Sequence, residues 1–346
     1  MATSAGPAHD RRPTMRDVAA AAGVSLKTVS RVVNGEPGVS PQLVDQVRRA
    51  VDQLDFRPHV GASNLRRGNR TTATVGLLLE DVANPWSSAL QRAVEDVAVP
   101  RGVMVLSASL DEDPVREREL TRALSARRAD GIILVPAGDD QGYLAGEVRA
   151  GTAIVCVDRE CMNLSVDSVV TTNAAGSAEG VRHLLAGGHR RIAFLGDRRS
   201  VLTARQRHQG YVDALTGARI PVDPALVVHD LRDPGVADGA VTTLLTRPDP
   251  PTALFTAQNL VTIGALRALR RLGLERSVAL VGFDDFPLAD LLDPGVTVVA
   301  QDPARMGRLA AEVLFARLSG DTTPPGVHVV PTTLLRRGSG ELPPPP

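Results

Sequence analysis

The sequence predicts an α/β protein: an all-α module of three helices at the N-terminus, then two doubly wound subdomains on parallel sheets. Three observations carry this. Residues 15–54 are patterned as helices, with no strand signal. From residue 73 onward, short apolar runs alternate with amphipathic stretches. That alternation is too long for one open sheet and falls into two similar blocks, 73–168 and 169–299.

In the N-terminal module, Val18, Ala19 and Ala22 mark one face of a first helix. Gly23 makes a tight turn, because glycine tolerates positive φ. Ser25 is the N-cap of a second helix that runs to about Val33 and ends at Asn34-Gly35. Val29, Val32 and Val33 form its apolar side. In the third helix Ser40 caps, Pro41 takes the first position, and Leu43, Val47, Val51 and Leu54 mark the buried face.

Beyond it the apolar runs read as strands buried on both faces, linked by crossover helices. The strands fall at 73–79, 103–108, 131–136 and 153–158, with helices near 86–99 and 114–128. The second block has strands at 168–173, 191–196, 225–230, 252–257 and 277–285, with helices near 174–187, 204–216, 235–246 and 260–272. Each block is Rossmann-like, and ligands bind such sheets beyond the carboxyl ends of the strands.

Composition narrows the function. The 346 residues carry no net charge, but residues 1–70 hold 11 basic against 6 acidic side chains and the remainder 28 against 33. A basic module on an acidic body points to a polyanion partner for the module alone. Lys27 is the only lysine beside 38 arginines. Cys156 and Cys161 are too few for a disulfide framework or a zinc cluster, so a reducing cytoplasm is expected. No secretory signal and no apolar run long enough to span a bilayer is present. No nucleophile elbow, P-loop or dinucleotide fingerprint occurs, and the histidines lack metal-ligand spacing. Asp284 and Asp285 are adjacent on an extended segment and point to opposite sides. No catalytic residue, cofactor or metal is therefore assigned.

Two helices joined by so short a glycine turn form a helix-turn-helix, whose second helix enters the major groove by its N-terminal residues. Leu26, Lys27 and Thr28, with Arg31 one turn on, are candidates for base contacts. Ser25, Ser30 and Asn34 are candidates for phosphate contacts.

D-V-A-x-x-A-G-V-S at 17–25, T-V-S-R-V-x-N at 28–34, V-S at 39–40 and F-R-P-x-x-x-A-x-x-L-R at 56–66 together resemble the headpiece of the LacI/GalR family of bacterial transcriptional repressors. The body resembles that family's periplasmic-binding-protein-like type I core, so the likeness spans about residues 14–338. Composition reads 1–12 and 339–346 as disordered tails, and the resemblance implies a headpiece at 13–58, a hinge helix at 59–70 and a core at 71–338. Within the core it implies an N-subdomain of about 71–168 and 301–322, and a C-subdomain of about 169–300 and 323–338. His59, Ala62 and Leu65 fall on the hinge, where paired helices of a dimer lie in the minor groove and Leu65 wedges a base step.

The resemblance also implies a small-molecule effector between the subdomains. Asn84 and Trp86 precede the first core helix, and Asp158-Arg159 ends the AIVCVD strand. Asn173, Arg207 in TARQRHQGY, Asn259, Asp284 in VGFDD and Gln301 complete the implied pocket. The family often has Asp-Asn where this chain reads Thr172-Asn173, and Asn-Asp where it reads Gln258-Asn259, and both replacements remove a carboxylate. With Arg159, Arg205 and Arg207 nearby, that suggests a sugar derivative with an anionic or acceptor-rich group. The expectation is a homodimeric, cytoplasmic, effector-responsive regulator on a pseudo-palindromic operator; the alternative is a periplasmic-type solute-binding protein without DNA function.

Overall fold

The computed structural model describes residues 13–57 and 72–345, and the chain divides into two compact units after Thr72. The predicted tail at 1–12 and the hinge residues His59, Ala62 and Leu65 lie outside the described residues.

The first unit holds α1 (Met15–Ala21), α2 (Leu26–Val33) and α3 (Pro41–Gln53). Thr14 and Asp17 form a capping box on α1, and Ser25 caps α2 by accepting from the Thr28 amide at 3.1 Å. Gly23 and Gly35, at φ +59° and +64°, make the two turns. Val18, Ala22, Val29, Val47, Ala50 and Phe56 are the buried core. Two expectations for α3 fail: Leu43 is 37% exposed, and Ser40 holds the cap position without a side-chain bond. Phe56, arriving after the helix, fills the core instead.

The second unit contains two six-stranded sheets. The first uses β1 (Thr74–Leu79), β2 (Met104–Ser109), β3 (Gly131–Leu134), β4 (Ala153–Asp158), β5 (Asp167–Thr171) and β11 (Val327–Val330). Their order is β11-β5-β4-β3-β1-β2, all parallel. The second uses β6 (Ile192–Leu195), β7 (Val227–Val228), β8 (Ala253–Thr256), β9 (Ala279–Phe283), β10 (Thr297–Ala300) and β12 (Thr333–Leu335). Its order is β12-β10-β9-β8-β6-β7, with only β12 antiparallel.

Helices α4 (Pro85–Ala98), α5 (Pro114–Ala126), α6 (Ala145–Arg149) and α11 (Pro303–Leu318) accompany the first sheet. Helices α7 (Asn173–Ala186), α8 (Leu202–Gly217), α9 (Pro234–Leu245) and α10 (Asn259–Leu272) accompany the second. The chain crosses between the sheets three times, after β5, β10 and β11.

These crossings correct the subdomain limits. β5 runs to Thr171 within the first sheet, past the expected boundary at 168, because it pairs with β4 on one side and β11 on the other. β11 likewise belongs to the N-subdomain, although 323–338 was assigned whole to the C-subdomain. The closing segment is also built in rather than disordered through residue 345. Ser339 Oγ donates to the Leu280 carbonyl, Glu341 accepts from Thr297 and meets His183, and the His189 ring contacts the Leu342 carbonyl.

Cys156 and Cys161 are a second correction: they are joined as a disulfide. The chain reverses after β4 through Asp158 at φ +69°, bringing the two Cα atoms to 5.9 Å, within disulfide reach.

Candidate functional site

The first candidate surface is the start of α2. Ser25, Leu26 and Lys27 are exposed, whereas Val29, one turn on, is fully buried and anchors the helix. Leu26 is 43% exposed, an apolar side chain displayed rather than packed. Thr28, Ser30, Arg31 and Asn34 are half-buried along the same helix. Asn34 Nδ2 donates to Ser30 Oγ at 3.2 Å, and Arg31 lies 3.8 Å from Glu36. Ser25, Leu26 and Lys27 are thus displayed at a helix N-terminus, the end that docks into a major groove, while Arg31 and Asn34 lie toward the other end.

The second is the cleft between the sheets. In each sheet the order reverses next to the first strand of its block, at β1/β3 and at β6/β8. Loops diverge at such a reversal and leave a crevice at the carboxyl ends. Glu80 follows β1, Val135 follows β3, Asp158 ends β4, Asp197 follows β6, Gln258 follows β8 and Asp284 follows β9; all six line the crevice. Its free volume is small, about 40 Å³. Asp158 and Asp284 both sit at φ +69°, a conformation costly for a non-glycine residue and common where a site dictates the backbone.

Arg207 is placed by close helix packing. At Gly210, one turn further along α8, a Cβ would lie 2.1 Å from the Ala174 carbonyl oxygen of α7. The missing side chain lets the helices touch, and Arg207 Nε donates to Asn173 Oδ1 at 2.8 Å. Its Nη1 donates to the Ala257 carbonyl at 2.9 Å and to Asp284 Oδ2 at 3.3 Å, and the guanidinium stacks on Phe283 at 4.0 Å. Gln301 Nε2 donates to the other oxygen of Asp284 at 2.6 Å. Arg159 Nη1 donates to Glu112 Oε2 and to the Pro136 carbonyl, both at 2.7 Å, Nη2 completes the fork on Glu112, and Nε lies 3.4 Å from Asp158.

Of the nine effector residues expected from sequence, Asn84, Trp86, Asp158, Arg159, Arg207, Asp284 and Gln301 line the cleft. Asn173 stands behind it, supporting Arg207. Asn259 also stands behind, exchanging amide hydrogen bonds of 2.9 and 3.4 Å with Asn84 and so tying α10 to α4 across the cleft. Sequence reasoning missed Glu80 and Asp197 on the cleft wall and Glu112 behind Arg159. Glu80 and Asp197 lie just after apolar strands, the position that Asp158 also marks.

The arginines behind the expectation of an anionic ligand have protein partners of their own. Arg159 is spent on Glu112 and Asp158, and Arg207 on Asp284. Arg205 donates to the Arg199 and Ser200 carbonyls and faces Asp139 at 3.6 Å. The carboxylates outnumber the cations.

Burial, the neighbouring Glu112 carboxylate and, more weakly, Asp197 and Asp158 push the Glu80 carboxyl from an ordinary 4.5 up to about 8, against the pull of Arg159. Burial also raises Asp158 and Asp197. The folded chain therefore keeps a proton on Glu80 that the unfolded chain releases; this contribution is complete below 4.5 and lost as pH rises through about 8. Relative to Glu80→Gln, the wild-type melting temperature is expected to fall from acid to mildly alkaline pH. A difference constant across that window means that Glu80 titrates as an ordinary carboxylate.

Comparison with known proteins agrees with the division into a helical headpiece and a two-sheet core. Residues 14–59 match the family described as bacterial regulatory proteins, lacI family, and residues 181–340 match the periplasmic binding protein-like domain. The chain is 30% identical to the ribose operon repressor of Haemophilus influenzae, over 93% of this chain and 97% of that protein. It is 33% identical to the transcriptional regulator PtxS of Pseudomonas aeruginosa, over 95% and 96%. Among solved structures, the lac repressor dimer bound to operator and the anti-inducer ONPF superposes with a TM-score of 0.83 at 26% identity, covering 95% of this chain and 99% of that one. The CelR–cellobiose complex superposes at 0.69 with 32% identity, over 95% and 100%. No helix among the described residues is long and apolar enough to cross a membrane. With a helix-turn-helix whose recognition end is exposed and a two-sheet core of the matching fold, the chain belongs to the lacI family of bacterial regulatory proteins and is a DNA-binding transcriptional regulator.

Proposed function

We propose that the protein is a homodimeric repressor that reads a pseudo-palindromic operator and responds to a small, sugar-sized effector held in the cleft. The observation that carries this reading is the pairing, on one chain, of an exposed α2 N-terminus with a polar crevice at the switch points of two sheets. Each headpiece reads one half-site, through Leu26, Lys27, Thr28 and Arg31 on base edges and Ser25, Ser30 and Asn34 on phosphates. His59, Ala62 and Leu65 are assigned to the minor groove between the half-sites. The lac repressor crystallised as a dimer on its operator, which supports carrying that arrangement over.

Two apolar surfaces suit a second copy. On the C-subdomain, Leu288 and Leu291 are 65% and 73% exposed beside a groove lined by Ile263, Leu266, Phe286 and Leu292. On the N-subdomain, Met104, 64% exposed, lies on β2, the last strand of its sheet. Exposed large apolar groups grouped in this way mark association surfaces. The effector biases the relative angle of the subdomains, and through it the population of dimers able to hold DNA.

The test is operator binding by the full chain. Lys27→Ala is expected to cost about 1–3 kcal/mol and to relax preference at one position of each half-site. Measured by fluorescence anisotropy on a set of single-base operator variants, uniform weakening across the set instead means that Lys27 touches phosphate only. Lys27→Arg separates the compact ammonium from charge alone.

A further inference from the structure

We infer that Cys156 and Cys161 form a reversible thiol–disulfide site, and that its oxidation by a low-molecular-weight disulfide clamps the Asp158-Arg159 turn at the cleft. In the reducing compartment expected from the sequence, a disulfide is usually transient and redox-sensing rather than structural. The span of this one fits that use. It joins residues five apart and encloses only Val157, Asp158, Arg159 and Glu160. A short loop gains less global stability from a crosslink than a long one does, so what the bond restrains is the turn itself.

The two cysteines differ in access. Cys156 is fully buried in β4, paired with Leu134 of β3 on one side and Ser168 of β5 on the other. Cys161 is half-buried beyond the turn and packs against the apolar cluster that holds Leu134 and Ile154. The Met162 amide donates to Gln141 Oε1 and the Gln141 amide to the Met162 carbonyl, both at 2.9 Å. Neither bond involves sulfur, so the outer arm stays in place in the reduced chain too. Cys161 is thus the thiol that meets an outside reagent, and Cys156 resolves what forms on it. The step is thiol–disulfide exchange. The Cys161 thiolate attacks one sulfur of the small disulfide, that S–S bond breaks, and one small thiolate leaves. The Cys156 thiolate then attacks the Cys161 sulfur of the mixed disulfide and expels the second. Two cysteines are oxidised, one small disulfide is reduced to two thiols, and the cysteine protons end on those thiols.

The consequence falls on the cleft. Asp158 sits inside the closed loop at φ +69°, a conformation that persists only where its surroundings fix it. Arg159, next to it, forks onto Glu112. Both line the cleft together with Trp86, the only tryptophan of the chain. With the bond closed, the turn is tied at both ends and these two side chains hold their places. With it open, one of the constraints on Asp158 is gone and the cleft wall loosens.

The experiment holds the full chain at neutral pH in glutathione buffers from fully reduced to fully oxidised, with thiols counted by alkylation and mass spectrometry. Both thiols should disappear together under oxidised glutathione and return together with dithiothreitol. In Cys156→Ser the mixed disulfide with glutathione should accumulate on Cys161, whereas in Cys161→Ser the remaining Cys156 should stay unmodified. Hydrogen exchange at the amides of 157–162 should be about ten-fold slower in the oxidised chain, with the second sheet unchanged. Acrylamide quenching of Trp86 fluorescence should rise on reduction, and neither difference should appear in the double variant Cys156→Ser, Cys161→Ser. None of these readouts requires an effector or an operator, so they stand apart from the regulator reading. The inference is overturned if the thiols persist under oxidised glutathione, if dithiothreitol leaves the bond intact in the folded chain, or if Cys156 captures glutathione in place of Cys161. It is equally overturned if exchange and quenching are the same in both forms.

Discussion

Arg159→Ala is expected to destabilise the core by about 3–5 kcal/mol, the cost of leaving a buried carboxylate without its partner. Arg159 and Glu112 are 6% and 7% exposed, and the guanidinium forks onto both carboxylate oxygens while also holding the Pro136 carbonyl. Its removal strands Glu112 and takes from Asp158 the cation that now offsets its burial. At roughly 2–4 °C per kcal/mol for a domain of this size, the melting temperature should drop by roughly 10 °C. The double variant Arg159→Met, Glu112→Met is the control: a buried pair replaced by apolar groups of similar volume is often close to neutral. It should therefore recover most of the loss. A single variant that melts within about 1 kcal/mol of wild type would mean that the pair is solvated in solution and worth what a surface bridge is worth.

That pair also shows where a sequence stops being legible. Buried parallel strands are continuous apolar runs, so nearly every strand here could be read in place, and the residues ending them could be listed as candidates. Asp158, Arg159 and Asp284, named through the family resemblance, stand at or just after such strand ends. Glu112 could not be listed so. It reaches Arg159 because Asp111 and Glu112 both adopt positive φ, +56° and +55°, after β2, and neither is a glycine or asparagine that would announce such a bend. Apolarity likewise marks SVVTT as a strand without saying which sheet it joins, since either sheet buries it equally. Only the pairing of β5 with β4 and β11 decides. The closing GSGELPPPP has the composition of a disordered tail, yet Ser339, Glu341 and the Leu342 carbonyl each meet a partner at least 40 residues away in sequence. Composition carries no information about such distant partners.

Val29→Asp is expected to erase operator recognition while leaving ligand binding in the cleft unchanged. Val29 is fully buried between the three headpiece helices, against a core of only six buried residues. An unpaired carboxylate at that point costs several kcal/mol. A single core in a unit this small supplies rarely more than about 3–5 kcal/mol, so the headpiece should unfold. The charge of the segment barely changes, and its arginines still attract phosphate. The variant should therefore keep weak, salt-dependent affinity for any duplex and lose the difference between operator and random DNA. Circular dichroism should show the loss of the three short helices, and the core should melt at its wild-type temperature. The comparison with Lys27→Ala then separates two roles within one helix: Lys27 lies on the reading face and changes which base is preferred, whereas Val29 holds that face in shape. If operator preference survives Val29→Asp, the sequence is being read by some element other than α2.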